Sequence, residues 1–119
     1  MGIPFVYPAL HDMTTVETSM EIELRFFDDC PNWKATSILL KTIIDELELE
    51  ATVLTRRVET PEEAEALDFH GSPTVIIDGE DPFAEKDAPV GLACRIYRTE
   101  TGFAGTPSAA QLRDALSSR

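Results

Sequence analysis

Apolar and polar positions alternate over Glu21–Phe27, with Ile22, Leu24 and Phe26 on one face and Glu21, Glu23 and Arg25 on the other. A period of two predicts a strand with one buried face. Phe27 thickens its end, and Asp28-Asp29-Cys30-Pro31-Asn32 reads as the turn that follows. Pro31 suits the first position of a helix, where a missing N–H costs nothing. Apolar residues then recur at helical spacing (Leu39 or Leu40, Ile43 or Ile44, Leu47) to about Leu49, with Lys34 and Lys41 breaking up the outer face. The β-branched run over Ala51–Val58 predicts a second strand. In Thr60-Pro61-Glu62-Glu63 a threonine cap precedes a proline at the first helical position. A glutamate three residues after the cap completes a capping box. The helix so started covers roughly 61–68, with Ala64 and Leu67 as its apolar side.

Thr74–Asp78 is a nearly continuous apolar run ending in Asp78-Gly79, the mark of a buried central strand. Residues 80–92 form a long loop with two prolines, and loops of this length in small domains are often functional. Cys94–Arg98 predicts a short strand. Thr106-Pro107 repeats the cap-then-proline start, and Ala109, Leu112, Ala115 and Leu116 line one side of a last helix. The order is β-α-β-α-β-β-α. A strand-helix-strand unit implies a parallel pair with a right-handed crossover, and the last two strands pair antiparallel. The expected fold is α/β: a four-stranded mixed sheet with helices on both faces. Residues 1–20, broken by Pro4 and Pro8, read as an N-terminal extension to a domain over 21–119.

Composition narrows the function classes. A chain of 119 residues that is 43% hydrophobic makes one domain with a core that needs neither disulfides nor metals. A net charge of −12 argues against nucleic acid or an anionic membrane as partner, since phosphate binding takes clustered Lys and Arg. No 18-residue apolar stretch is present, and the first residues lack the basic and unbroken apolar regions of a secretory signal, so a cytoplasmic location is expected. Two cysteines in such a chain are no disulfide framework and point to catalysis, sensing or burial. The pattern leaves the oligomeric state open.

Cys30 is the first candidate. At a strand-to-helix junction it meets the free N–H groups and partial positive charge of a helix N-terminus, which favour the reactive thiolate. Asp28 and Asp29 act the other way, because neighbouring anions disfavour a thiolate. With FFDDCPNW at this junction, GSPTVIIDG further on and the element order across 21–119, the chain resembles the thioredoxin-fold superfamily. The resemblance implies a cis bond at Ser72-Pro73, a proline loop facing Cys30, and Ser72 offering backbone hydrogen bonds to a bound peptide or thiol. It also implies thiol–disulfide chemistry with a protein or small-molecule thiol or disulfide as partner.

The departure from that pattern lies in Cys30-Pro31-Asn32-Trp33, where Trp33 stands in place of the family's second cysteine. No disulfide closes within this motif. The favoured reading is a monothiol site, as in glutaredoxin-like proteins, resolved by a low-molecular-weight thiol with no resident cofactor. Cys94 is then either a distant resolving thiol or a buried apolar cysteine. Hairpin geometry with 74–78 puts it away from Cys30, unless residues 80–92 fold back or the register is unexpected. Trp33 serves as a substrate-gripping rim or as a cap on the core. His70, three residues before Pro73, is a candidate base near the thiol. Arg56, Arg57, Arg95 and Arg98 read as surface structure. The alternatives are a non-catalytic binding module using the groove between Trp33, Ser72 and the 80–92 loop, and, more remotely, soft-metal chemistry of the kind attached to small alkylmercury-lyase-like proteins. Two thiols suit Hg(II) or Cu(I) better than Zn(II), but with only His11 and His70 no metal set is assigned.

Overall fold

The computed structural model describes residues 19–118, so most of the N-terminal extension, with His11, lies outside the described residues. Strand β1 (Met20–Phe26) leads through a turn into helix α1 (Asn32–Glu46), and β2 (Ala51–Arg57) follows. Helix α2 (Pro61–Leu67) precedes β3 (Thr74–Ile77). A hairpin of β4 (Tyr97–Thr99) and β5 (Gly102–Ala104) leads to α3 (Ala109–Ser117). β1 is the central strand of a sheet ordered β2-β1-β3, parallel to β2 and antiparallel to β3. Ile22 pairs with Val53 and Ile77, and Leu24 with Thr55 and Val75.

The alternation in β1 sorts its side chains. Met20, Ile22 and Leu24 join Leu40 and Ile43 of α1, Val75 and Ile77 of β3, and Leu112 and Leu116 of α3 in the main core. The opposite face carries Glu23, Arg25 and Phe27. Arg25 Nη1 donates to the Leu67 carbonyl at the end of α2, 3.0 Å away, and Phe27 packs on a second cluster of Val58, Ala64 and Phe69. Helices therefore cover both faces, as expected. Thr60 and Glu63 form the predicted capping box. α1 stops three residues short of the expected end, where Glu48 takes a left-handed φ of 54°. α3 begins after Ser108, boxed with Gln111, rather than at Thr106-Pro107.

The sheet departs from expectation. It has three strands, not four, and the β4–β5 hairpin forms a separate two-stranded sheet. Asp78 and Gly79 have φ of 49° and 86°, and Ile77 and Glu80 exchange both backbone hydrogen bonds, a two-residue reversal. Beyond it the chain runs back along the length of β3 without pairing to it. Gly91 N donates to Phe69 O, Ser72 N to Ala93 O and Arg95 N to Ser72 O at 2.8–3.1 Å, so residues 91–95 lie parallel to 69–72. The last regular strand starts only at Tyr97, and its partner β5 is an element the sequence pattern did not signal.

Candidate functional site

Cys30 follows β1 at the turn, its N–H donating to Phe27 O at 3.0 Å. Pro31 occupies the cap position of α1. No side chain caps this helix and no acidic residue stands in its first turn. The positive end of α1 is thus left to Cys30, which is fully buried. The Ser72-Pro73 bond is cis, as the resemblance implies. Cys30 Sγ lies 3.4 Å from the Ser72 carbonyl oxygen, so the proline loop does face the cysteine.

The fold-back of residues 80–92 brings Cys94 alongside Ser72, and Cys30 and Cys94 form a disulfide with a Cα–Cα distance of 5.7 Å. The expectation that Cys94 lies away from Cys30 fails because it assumed a hairpin continuing from β3. In the parallel arrangement, residue 94 meets the beginning of β3 rather than its far end. Nor is Cys94 the buried apolar residue of the second reading: it is exposed, while Cys30 beneath it has no accessible surface.

Buried polar contacts hold this return in place, and they fall on residues that the sequence reading passed over. Arg95, expected at the surface, is buried. Its Nη1 donates to Asp81 Oδ2 at 2.8 Å and Thr74 Oγ1 at 3.2 Å, and its Nη2 to the Phe83 carbonyl at 2.7 Å. The guanidinium also lies over the Tyr97 ring, 4.6 Å from its centroid. Tyr97 Oη donates to the Pro73 carbonyl. Burial pushes the Tyr97 phenol well above its usual range; the Asp81 carboxylate adds to this and the Arg95 charge opposes it. The only sequence signal for the pair was alternation: Arg95 and Tyr97 share a parity in Cys94–Arg98. That parity points inward, leaving Ile96 68% exposed.

The remaining candidates divide. Asp28 turns to Arg57, with Oδ2 3.2 Å from Nε, and both side chains are about half exposed. Asp29 is exposed. Trp33 stacks on Phe26 with ring centroids 4.0 Å apart and packs half-buried against the main core. His70 pairs its Nδ1 with the Pro89 carbonyl at 3.2 Å, and its Nε2 lies 3.4 Å from Asp68, which makes it a fastener of the 80–92 loop. The backbone N–H and C=O of Ser72, which the resemblance assigns to a substrate, are taken up by Ala93 and Arg95 of the chain itself. The Ser72 hydroxyl is buried and without a hydrogen-bond partner.

Chemically, the centre is a pair of bonded cysteines, Cys30 buried at the start of α1 and Cys94 an exposed residue. Among the described residues no group of three or more His, Cys, Asp or Glu is placed to hold a metal ion, and no helix is long and apolar enough to cross a membrane. No protein-family model matches the chain, and no curated protein matches it.

Proposed function

We propose that the protein is a two-cysteine thiol–disulfide exchange protein on a thioredoxin-like scaffold, working through Cys94 and Cys30. The observation that carries this reading is the pairing of the two cysteines at a Cα–Cα distance of 5.7 Å, with residue Cys94 exposed and Cys30 buried. It replaces the monothiol reading, because the second thiol missing from the CPNW motif comes from residue 94. The parallel β1–β2 pair and the cis proline facing Cys30 support the scaffold. In the cytoplasm, where we place the protein, disulfides are transient and catalytic or redox-sensing rather than structural, and exposed ones are the labile class.

Burial also assigns the roles. An incoming disulfide reaches Cys94 and not Cys30. In the reduced protein the Cys94 thiolate attacks one sulfur of a substrate disulfide; a Cys94–substrate bond forms and the other substrate half leaves as a thiolate. The Cys30 thiolate then attacks Cys94 Sγ. The Cys30–Cys94 bond forms and the second substrate thiolate leaves, each thiolate taking its proton from water. The substrate is reduced by two electrons and the protein oxidised by two. Two molecules of a low-molecular-weight thiol reverse the sequence and depart as their own disulfide.

Trapping tests the assignment. Reduced Cys30→Ser treated with a small aromatic disulfide should accumulate a mixed disulfide on Cys94, detected by peptide mass spectrometry. Cys94→Ser should react at least about tenfold more slowly, because its remaining thiol is buried. A mixed disulfide that forms faster on Cys30 in Cys94→Ser would reverse the roles. Wild type that neither exchanges nor re-forms its disulfide would remove the function.

A further inference from the structure

A cavity of about 550 Å³ opens beside Cys94, between residues 83–89 of the long loop and residues 94–98, with Gln111 of α3 behind it. We propose that this cavity receives the non-reacting end of a small carboxylate-bearing thiol or disulfide, so that such molecules rather than protein disulfides are the favoured exchange partners. The proposal rests on the exchange reading above and names the substrate class for it.

Three observations carry it. The first is access. The backbone of Ser72, where an extended peptide would pair, is occupied by Ala93 and Arg95. With Cys30 buried, the open approach to the sulfur pair is through Cys94, and Cys94 is part of the cavity wall. The second is size. The volume lies within the roughly 300–1,000 Å³ typical of small-molecule sites. The third is charge. The chain has 22 acidic and 10 basic residues, yet Lys86, Arg95 and Arg98 line this cavity against Glu85 and Asp87. Asp81 neutralises Arg95 from behind and fixes it as part of the wall. Arg98 stands at the rim, its side chain 71% exposed, in an ion pair with Glu85 at 3.2 Å. An exposed pair of this kind is weak and salt-screened, so a ligand carboxylate placed at the rim can take over the guanidinium in a two-pronged hydrogen bond. Lys86 is exposed on the same rim. In a molecule whose overall field repels anions, the approach to Cys94 offers them donors in Arg98 and Lys86.

Three symmetrical disulfides of similar size test this: 3,3′-dithiodipropionate, bis(2-hydroxyethyl) disulfide and cystamine, carrying two negative, zero and two positive charges. Each is reacted with reduced wild type and reduced Cys30→Ser at low ionic strength. Each rate is divided by that of the same probe with 2-mercaptoethanol to cancel intrinsic reactivity. The expected normalised order is anionic, neutral, cationic, with about tenfold between the extremes. Arg98→Gln and Lys86→Gln should each lower the anionic rate severalfold more than the neutral rate. The reverse order, which a uniform field of net charge −12 dictates, would overturn the cavity's role while leaving exchange at Cys94 intact, as would variants that slow all three probes equally. Failure of all three probes to react would overturn the exchange reading and this inference together.

Discussion

Arg95 and Tyr97 are buried beside the sulfur centre, and each is satisfied by a group on the proline loop or the long loop. A buried guanidinium is tolerable only with such partners, since an unpaired charge in the interior costs several kcal/mol (order of magnitude). Tyr97 adds a pH signature. Its phenol is held neutral in the folded chain, with its pKa raised above the ordinary value near 10. For an acid whose folded pKa is raised, the stability linked to it is full below the unfolded value and is lost as pH climbs beyond it. Tyr97→Phe should therefore be less stable than wild type by about 1 kcal/mol at neutral pH, through the lost hydrogen bond to Pro73. That difference should shrink above about pH 10, where wild type alone must keep a buried phenol protonated. Urea unfolding of both proteins from pH 7 to 11 measures it; a gap that stays constant across that range would contradict the assignment.

At the scale of elements, the decisive feature is the short parallel alignment of 91–95 with 69–72. Gly71 makes it possible. Its φ is +111°, and a Cβ there would stand 3.0 Å from Arg95 Cα and 3.1 Å from the Ala93 carbonyl oxygen. Gly71→Ala combines a disfavoured conformation with a backbone clash, so it should cost about 1–3 kcal/mol and push Cys94 off Cys30. Thiol alkylation after air oxidation should find most of the variant's cysteines free where wild type shows none; a fully formed disulfide in the variant would refute this role for the glycine. Much of the architecture was legible in side-chain patterns. Alternation in β1 gave its buried face, Thr60-Pro61-Glu62-Glu63 gave the start of α2, and the resemblance carried by GSPTVIIDG implied the cis bond. The return of Cys94 was not legible, because it rests on three backbone hydrogen bonds, which leave no periodicity. Trp33 in place of a second cysteine excludes a disulfide only within the motif; the cysteine that pairs with Cys30 lies 64 positions away.

For the whole molecule, the Cys30–Cys94 bond ties the start of α1 to the far end of the long loop. By chain entropy alone, closing a loop of 64 residues restricts the unfolded state by about 4 kcal/mol at 25 °C. The bond sits at the surface on one side only: Cys94 is exposed, and Arg95, Tyr97 and the Ser72 backbone hold the loop independently of the sulfurs. Opening it should therefore leave the fold standing, which is what a centre that cycles requires. Against a net charge of −12, which repels anions overall, the proposed carboxylate recognition rests on the basic residues at the mouth beside Cys94. If the two cysteines form one reversible redox couple, a redox titration in thiol–disulfide buffers, quenched by alkylation and read by intact mass, should show it. Only fully oxidised and doubly alkylated protein should be populated, with a midpoint between about −270 and −120 mV, the range of exchange catalysts. A midpoint below about −300 mV, as for a structural bond, or two cysteines that alkylate independently at every potential, would contradict it.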